Sequence, residues 1–281
     1  PVCSELHIAP STYYHCQQQR HHPDKRSASA QRDDWLKREI QRVYDENHQV
    51  YGVRKVWRQL LREGIRVARC TVARLMAVMG LAGVLRGKKV RTTVSRKTVA
   101  AGDRVHRQFV AERPDQLWVA DFTYVSTWQG FVYVAFIIDV FAGYIVGWRV
   151  SSSMETTFVL DALEQALWAR RPSGTVHHSD KGSQYVSLAY TQRLKEAGLL
   201  ASTGSTGDSY DNAMAESING LYKAEVIHRK SWKNRAEVEL ATLTWVDWYN
   251  NRRLLERLGH TPPAEAEKAY YASIGNDDLA A

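Results

Sequence analysis

Three runs rich in valine, isoleucine and aromatic residues follow one another closely in the middle of the chain. They span Trp118–Val125, Phe131–Asp139 and Tyr144–Val150, with breaks at Gln129-Gly130 and Ala142-Gly143. Runs of this composition, separated by short glycine-containing breaks, are typical of strands joined by tight turns. We therefore predict three antiparallel strands, which commit this part of the chain to a sheet.

Beyond the third run, the chain alternates between helical and extended patterns. Helices are predicted over Thr156–Arg170, Ser187–Ala197 and Ala213–Val226, where apolar residues recur at helical spacing. Short strands are predicted over Thr175–His178 and Leu199–Ser202. A strand meander followed by alternating helices and strands indicates an α/β fold class.

Three acidic residues occupy marked positions in these elements. Asp121 lies in the middle of the first apolar strand, where a carboxylate is costly unless it is paired or binds a metal. Asp180 follows the fourth predicted strand and precedes a turn at Gly182. Glu216 lies in the first turn of the third predicted helix, on the polar face that also carries Lys223. Each acid alone is compatible with a cap, a turn or a strand end, whereas the three together indicate a shared site.

A trio of carboxylates suits metal-assisted cleavage of a phosphodiester bond. Sites rich in hard oxygen ligands favour Mg²⁺, with Mn²⁺ as a substitute. Two such ions about 3.5–4 Å apart can activate an attacking oxygen and stabilise the leaving oxygen. A fourth acid, Asp139, lies beside the second hairpin turn and is predicted to stabilise that turn. His177 and His178 are predicted to pack at the end of a strand rather than to transfer protons or touch DNA.

The charge of the chain is unevenly distributed, and this favours a nucleic-acid partner. Residues 1–111 contain 22 Lys or Arg against 9 Asp or Glu, residues 112–281 contain 16 against 21, and the net charge is +8. A basic front half suits DNA binding, and an acidic rear half suits metal binding. The three cysteines show no paired spacing, and no apolar run reaches the roughly 18 residues of a membrane helix. We therefore expect a cytoplasmic, nucleoid-associated protein without a membrane partner.

Two amphipathic helices in the basic half are joined by a short turn. The first is predicted over Val53–Glu63, the turn contains Gly64, and the second helix begins near Arg69. Arg69, Thr71 and Arg74 point away from the apolar side of the second helix. This layout is typical of a helix-turn-helix that contacts DNA, and a helical hairpin with a packing role alone is the alternative.

A strongly basic stretch follows this helical region. Lys88, Lys89 and Arg91 lie in a segment of little apolar content, which suits contacts to phosphates without base recognition. The same composition is typical of a linker, and the two roles are compatible. Near the carboxylates, Lys223 is a candidate contact to the scissile phosphate.

Three motifs carry a resemblance to a known family. They are similar to the D,D(35)E core of insertion-sequence transposases, and 35 residues separate the second acid from the third. The motifs are Trp118-Val119-Ala120-Asp121, His178-Ser179-Asp180-x-Gly182-Ser183-Gln184-Tyr185 and Asp211-Asn212-Ala213-x-Ala215-Glu216-Ser217. The chain most resembles the product of the second reading frame (OrfB) of the insertion-sequence-three family. Residues 51–81 and the motif Tyr249-Asn250-x-x-Arg253 also resemble this family.

The resemblance implies a fold, a chemistry and a set of partners. The fold would be a ribonuclease-H-like integrase core, a mixed five-stranded sheet with helices, preceded by an all-α helix-turn-helix region. Asp121, Asp180 and Glu216 would hold two Mg²⁺ ions, with Mn²⁺ as a substitute. The protein would act as a homo-oligomer on double-stranded DNA, cleaving and joining strands at terminal inverted repeats and in target DNA.

The predicted organisation has five parts. They are a helix-turn-helix remnant with a polar linker (1–31, the linker over Gln17–Gln31), a helical DNA-binding domain (32–84), a basic linker (85–111), the catalytic core (112–255) and a tail (256–281). The first helix of the remnant is expected upstream of Pro1. A truncated, catalytically inactive DNA-binding regulator of transposition is therefore the alternative function. A general ribonuclease-H-type nuclease fits less well, because such an enzyme does not require a helix-turn-helix.

Overall fold

The computed structural model describes residue 5 and residues 8–22, 26–85, 110–180, 182–203 and 213–280. Contacts between residues divide the chain into two compact units, residues 1–83 and residues 84–281. The five-part organisation is not tested by this division and stays a prediction. Within the described ranges, no helix combines the length and the apolar character needed to cross a membrane.

The described residues of the first unit form helices α1 (Pro10–His21), α2 (Ala28–Glu46), α3 (Val53–Arg62) and α4 (Arg69–Val78). Helices α2, α3 and α4 pack against one another around an apolar core. The side chains buried there are Leu36, Ile40, Val43, Val56, Leu60, Val72, Leu75 and Met76. Gly64, at φ +82°, turns the chain between α3 and α4 in a conformation that favours glycine. The two predicted helices and the turn between them are confirmed.

The polar segment Gln17–Gln31, interpreted above as a linker, is largely helical. Helix α1 extends to His21, and α2 begins at Ala28 after Ser27. The hydroxyl of Ser27 accepts a hydrogen bond from the N–H of Ala30 at 3.2 Å, which caps α2. Helix α1 buries none of its residues. The role of this segment as a linker stays a prediction, and its helical conformation reflects the fact that glutamine and arginine are good helix formers even on a solvated helix.

The described residues of the second unit are built on a mixed five-stranded sheet with the order β3-β2-β1-β4-β5. Strands β1 (Leu117–Thr127), β2 (Gly130–Asp139) and β3 (Tyr144–Ser151) form an antiparallel meander. Strand β4 (Val176–Ser179) pairs parallel to β1, and β5 (Leu200–Thr203) pairs parallel to β4. The predicted α/β class, the meander and the five-stranded sheet are confirmed.

One face of the sheet is covered by α5 (Thr156–Arg170) and α6 (Leu188–Glu196). The core between them contains Trp118, Ile137, Phe158 and Tyr190. Gly147 of β3 permits the close approach of α5, because a Cβ at this position would lie 2.2 Å from the carbonyl oxygen of Ala162.

The opposite face is covered by α7 (Ala213–Glu225) and α8 (Arg235–Asn251). Side chains alternate between the faces of a strand, so Phe136 points away from its neighbour Ile137. The ring of Phe136 contacts Tyr222 of α7 and Trp245 of α8, with centroids 5.2 and 5.9 Å away. The sheet is therefore enclosed by a helical layer on each side.

The end of α8 ties the C-terminal segment to the sheet. The Asn250 side chain accepts a hydrogen bond from the N–H of Ile145 (2.9 Å) and donates one to its carbonyl oxygen (3.0 Å), beside a register shift between β2 and β3. Arg253 forms a buried ion pair with Glu225 of α7. Two residues of the motif Tyr249-Asn250-x-x-Arg253 therefore join α8 to the sheet and to α7. A last helix, α9 (Pro263–Ala280), follows.

Candidate active site

The parallel pairing of β1 and β4 places two of the predicted acids side by side. Ala120 of β1 is paired with Ser179 of β4, and Asp121 and Asp180 are the next residues along the chain in each case. Both carboxylates therefore lie at the carboxyl end of β4, the edge at which open α/β sheets bind ligands.

Helix α7 brings the third acid to the same place through Asn219. The Asn219 amide donates a hydrogen bond to Oδ2 of Asp121 at 2.9 Å, and the N–H of Phe122 donates to Oδ1 at 2.8 Å. Glu216 precedes Asn219 by one helical turn and lies on the same face of α7. Asn219 is buried and Glu216 is half-buried. The bond to Asp121 was not predicted, and the i,i+3 spacing from Glu216 is the sequence signal for it.

The charges of the three carboxylates act on one another. The pKa of Asp121 is raised to about 7, mainly because burial removes its hydration and also because the carboxylates of Asp180 and Glu216 lie nearby. The hydrogen bonds from Phe122 and Asn219 oppose this rise. The part of this rise that comes from Asp180 and Glu216 reflects negative charge around Asp121, which a bound cation would relieve.

Asp180 is exposed, and the turn that follows it holds its carboxylate. The N–H of Gly182 donates a hydrogen bond to Oδ1 of Asp180 at 3.0 Å. A Cβ at position 182 would lie 3.0 Å from the same oxygen, which is closer than ordinary contact. Glycine therefore leaves room for the carboxylate in this orientation.

Other polar residues close to the acids have structural roles. His177 and His178 are buried, and one ring nitrogen of each lies 3.0 Å from a hydroxyl oxygen. Asp139 accepts hydrogen bonds from the N–H groups of Asp115 (2.6 Å) and Phe141 (2.9 Å), at the turn between β2 and β3. The packing role predicted for the histidines and the turn role predicted for Asp139 are confirmed.

The donors at this site fit a hard divalent cation. They are the carboxylate oxygens of Asp121 on β1, Asp180 after β4 and Glu216 on α7. In addition, the buried Oδ1 of Asn219 accepts no hydrogen bond from the described part of the protein. In that part, no three histidine, cysteine or acidic side chains are already gathered at metal-binding distances.

The residues predicted to contact DNA differ in their exposure and in their partners within the protein. Arg69 is exposed and Thr71 is half-buried, whereas the guanidinium of Arg74 donates to both carboxylate oxygens of Asp33 at 2.9 Å. Lys223 is half-buried, with its Nζ 5.0 Å from the ring centroid of Tyr124. The remaining candidates lie outside the described residues, namely Lys88, Lys89 and Arg91.

Comparison with known proteins matches both units. Residues 31–89 match a family model described as an HTH-like domain, and residues 111–209 and 197–263 match two models described as integrase core domains. The chain is 97% identical over 281 residues, 100% of its length and 95% of the relative's, to the transposase for insertion sequence element IS629 from Shigella sonnei. It is 53% identical over 274 residues, 94% and 96% of the two lengths, to a putative transposase for IS986/IS6110 from Mycobacterium tuberculosis.

A solved structure, the HTLV-2 integrase catalytic core domain in complex with magnesium, covers 56% of this chain and 98% of its own at 13% identity and a TM-score of 0.43. Proteins with an integrase core use divalent metal ions, and transposases bind DNA. Because near-identity to a transposase extends over the whole chain, and the three acidic motifs stand in an integrase core, this chain belongs to the insertion-sequence-three family of transposases.

Proposed function

We propose that Asp121, Asp180 and Glu216 are the catalytic, metal-binding residues of this transposase. The observation that carries the proposal is the perturbed Asp121, a half-buried carboxyl whose pKa is raised to about 7 partly by the other two carboxylates. A strand interior does not retain so costly a group for packing. The pairing of β1 with β4, which sets Asp180 beside Asp121, and the Asn219 bond, which ties the helix carrying Glu216 to Asp121, support the proposal.

The reaction is hydrolysis of one phosphodiester followed by transesterification at another. Water attacks the phosphorus of the first bond and leaves a free 3′-hydroxyl, and that hydroxyl then attacks a phosphodiester of the target and expels its 3′ oxygen. Two bound Mg²⁺ ions, or Mn²⁺, would supply Lewis-acid activation of the attacking and leaving oxygens. The chain itself binds and orients: three carboxylates provide the ligands, Asn219 holds Asp121, and the Gly182 N–H holds Asp180. No serine or tyrosine acts as a nucleophile in this scheme.

The substrates are the terminal inverted repeats of the element and double-stranded target DNA. Arg69 and Thr71 on α4 are proposed to contact the repeat. Arg74 is proposed to contact it as well, after its guanidinium leaves the carboxylate of Asp33 and binds a DNA phosphate instead. Lys88, Lys89 and Arg91 are proposed to contact phosphates of the DNA backbone, and Lys223 the scissile phosphate. A homo-oligomer follows from the need to hold two element ends at once.

Strand cleavage of a labelled duplex that carries the terminal repeat tests this proposal. Reactions contain Mg²⁺, Mn²⁺ or EDTA, and compare the wild type with Asp121→Asn, Asp180→Asn and Glu216→Gln. The expected result is metal-dependent nicking at the 3′ end of the repeat, reduced more than about 100-fold in each variant because a neutral amide is a poor ligand for these ions.

Two matched controls separate a catalytic role from a loss of surface charge. Asp161→Asn removes a half-exposed acid of α5 that pairs with Arg149, and Glu239→Gln removes one of α8. Both should cleave like the wild type. Full Mg²⁺-dependent cleavage by Asp180→Asn would show that the proposed site is wrong, and repeat binding without nicking under any ion would favour the regulator.

A further inference from the structure

The hairpin formed by β1 and β2 exposes three large aromatic side chains. Tyr124 is 52% exposed, Trp128 is 73% exposed and Phe131 is 58% exposed, and we refer to these three residues as the hairpin platform. The rings of Tyr124 and Phe131 meet edge to face, with centroids 5.6 Å apart. Contiguous exposed apolar surface of this kind marks an interaction site more often than it occurs by chance.

The same sheet face is covered closer to its centre. The ring of Phe122, two residues before Tyr124 on β1, packs against Phe158 of α5 at 5.5 Å, and Tyr133 of β2 packs on the same ring at 6.3 Å. Tyr124 is paired with Tyr133 across the two strands, so it lies next to the rings that pack on Phe158. The platform therefore extends this group of aromatic side chains beyond the part of the sheet that Phe158 covers. The exposed rings are therefore an extension of the core that lies open to a ligand.

One lysine lies on a ring of the platform, and a second lies on the buried ring of Trp232, which the backbone of Trp128 contacts. The ammonium of Lys223 lies 5.0 Å from the ring centroid of Tyr124 and interacts electrostatically with Asp121. The N–H of Trp128 donates to the carbonyl oxygen of Trp232 (3.0 Å), whose ring carries the ammonium of Lys230 at 4.3 Å. Aromatic faces interleaved with cations are typical of surfaces that bind single-stranded nucleic acid.

The platform also lies along the strand that carries the first acid. Tyr124 and Asp121 point to opposite faces of β1 but lie three positions apart, about 10 Å at the rise of a strand. This is the axial length of about three stacked nucleotides. The pairing of β4 with β1 stops at Ala120, so β4 does not cover the edge of β1 between Asp121 and Tyr124.

We propose that the hairpin platform stacks on DNA bases that unpair within about three nucleotides of the scissile phosphate. The proposal rests on the function proposed above, because it takes the scissile phosphate to lie at Asp121. Bases in a paired duplex present their edges in the grooves, whereas the faces of unpaired bases are free to stack on aromatic rings. Stacking would then offset the cost of opening the end of the element and would hold the strand in line with the carboxylates.

Binding measured in EDTA tests the platform apart from the chemistry. Two terminal-repeat duplexes are compared, one fully paired and one with three mismatched pairs beside the scissile phosphate. The wild type should prefer the mismatched duplex by about tenfold, because this duplex does not have to be opened. Trp128→Ala and Tyr124→Ala should lose most of this preference, and should cleave the paired duplex about tenfold more slowly when Mg²⁺ is added.

Trp168→Ala is the matched control. Trp168 lies on α5, is 82% exposed and is not part of the platform, so this variant should keep the wild-type preference and rate. Asp121→Asn should also keep the preference in EDTA, and this separates failure of the platform from failure of the proposed catalytic site. Circular dichroism and thermal melting confirm that each variant is folded.

Two outcomes would overturn the proposal. The first is a preference in Trp128→Ala and Tyr124→Ala equal to that of Trp168→Ala. The second is a change in oligomeric state of these variants, measured by light scattering, with the preference for mismatched ends intact. That result would assign the exposed rings to contacts between copies of the chain.

Discussion

Replacement of Arg253 by methionine tests whether the C-terminal motif serves the fold or the chemistry. The side chains of Arg253 and Glu225 are 5% and 7% exposed, and the guanidinium Nε donates to both carboxylate oxygens at 3.2 and 3.0 Å. The indole N–H of Trp245 donates a further hydrogen bond to Glu225 at 3.1 Å. The pair is therefore buried and well bonded, and it joins the end of α7 to the end of α8.

The Arg253→Met variant leaves the Glu225 carboxylate buried without its countercharge. Removal of one partner of a buried ion pair costs about 3–5 kcal/mol, a large fraction of the stability of a typical domain. The double variant Glu225→Gln/Arg253→Met should lose about 1–3 kcal/mol less than the sum of the two single losses.

Urea denaturation followed by tryptophan fluorescence at pH 7 measures these quantities. Arg235→Met is the control, because its ion pair with Glu239 is half-exposed at 3.9 Å and should contribute at most about 0.5 kcal/mol. Cleavage by Arg253→Met, expressed per folded molecule, should equal that of the wild type. A loss of stability below about 1 kcal/mol, or a stable variant that does not cleave, would refute a structural role for Arg253.

Three further predictions concern the carboxylates and a buried histidine. Asn219→Ala removes a hydrogen bond to Asp121, so the pKa of Asp121 should rise above about 7. Cleavage at pH 7 should therefore fall about tenfold and should recover at higher pH. A pH–rate profile parallel to that of the wild type would contradict this. The added methyl group in Gly182→Ala crowds Oδ1 of Asp180, and should lower the cleavage rate about tenfold. The melting temperature should change by less than about 4 °C. An unchanged cleavage rate would count against the proposed position of the Asp180 carboxylate. Burial lowers the pKa of His177 from 6.5 to about 4, so the unfolded chain binds a proton that the folded chain excludes. Relative to His177→Gln, the wild type should lose up to about 3 kcal/mol of unfolding free energy as pH falls from 6.5 to 4, when the two are titrated by urea denaturation in parallel.

Elements with a strong local pattern were predicted closely. Helix α5 has the predicted bounds, Thr156–Arg170, and the meander strands differ from prediction by one or two residues at their ends. Their apolar periodicity is a property of adjacent residues, so it can be read without knowledge of the partner elements. The helical conformation within Gln17–Gln31 was not predicted for the complementary reason, because a solvated helix carries no apolar stripe.

Contacts between distant segments were not predictable in the same way. Arg74 points outward on α4 as expected, yet its guanidinium is bonded to Asp33, 41 residues away along the chain. Neither residue carries a local signal for the other. A basic residue on an outward face is therefore a weaker indicator of a DNA contact than its exposure alone suggests.

The sequence by itself determined the strand meander, the alternation that follows it, and the positions of the three acids in the middle of a strand, at the end of another and at the start of a helix. Only the tertiary structure decided how those acids are held. Asn219 reaches Asp121 across 98 residues of chain, and Asn250 reaches Ile145 across 105. Local periodicity reports which side of an element is buried, whereas the partner of a buried polar group depends on how distant elements pack, since each such group must find its hydrogen bond wherever the fold brings a donor or an acceptor.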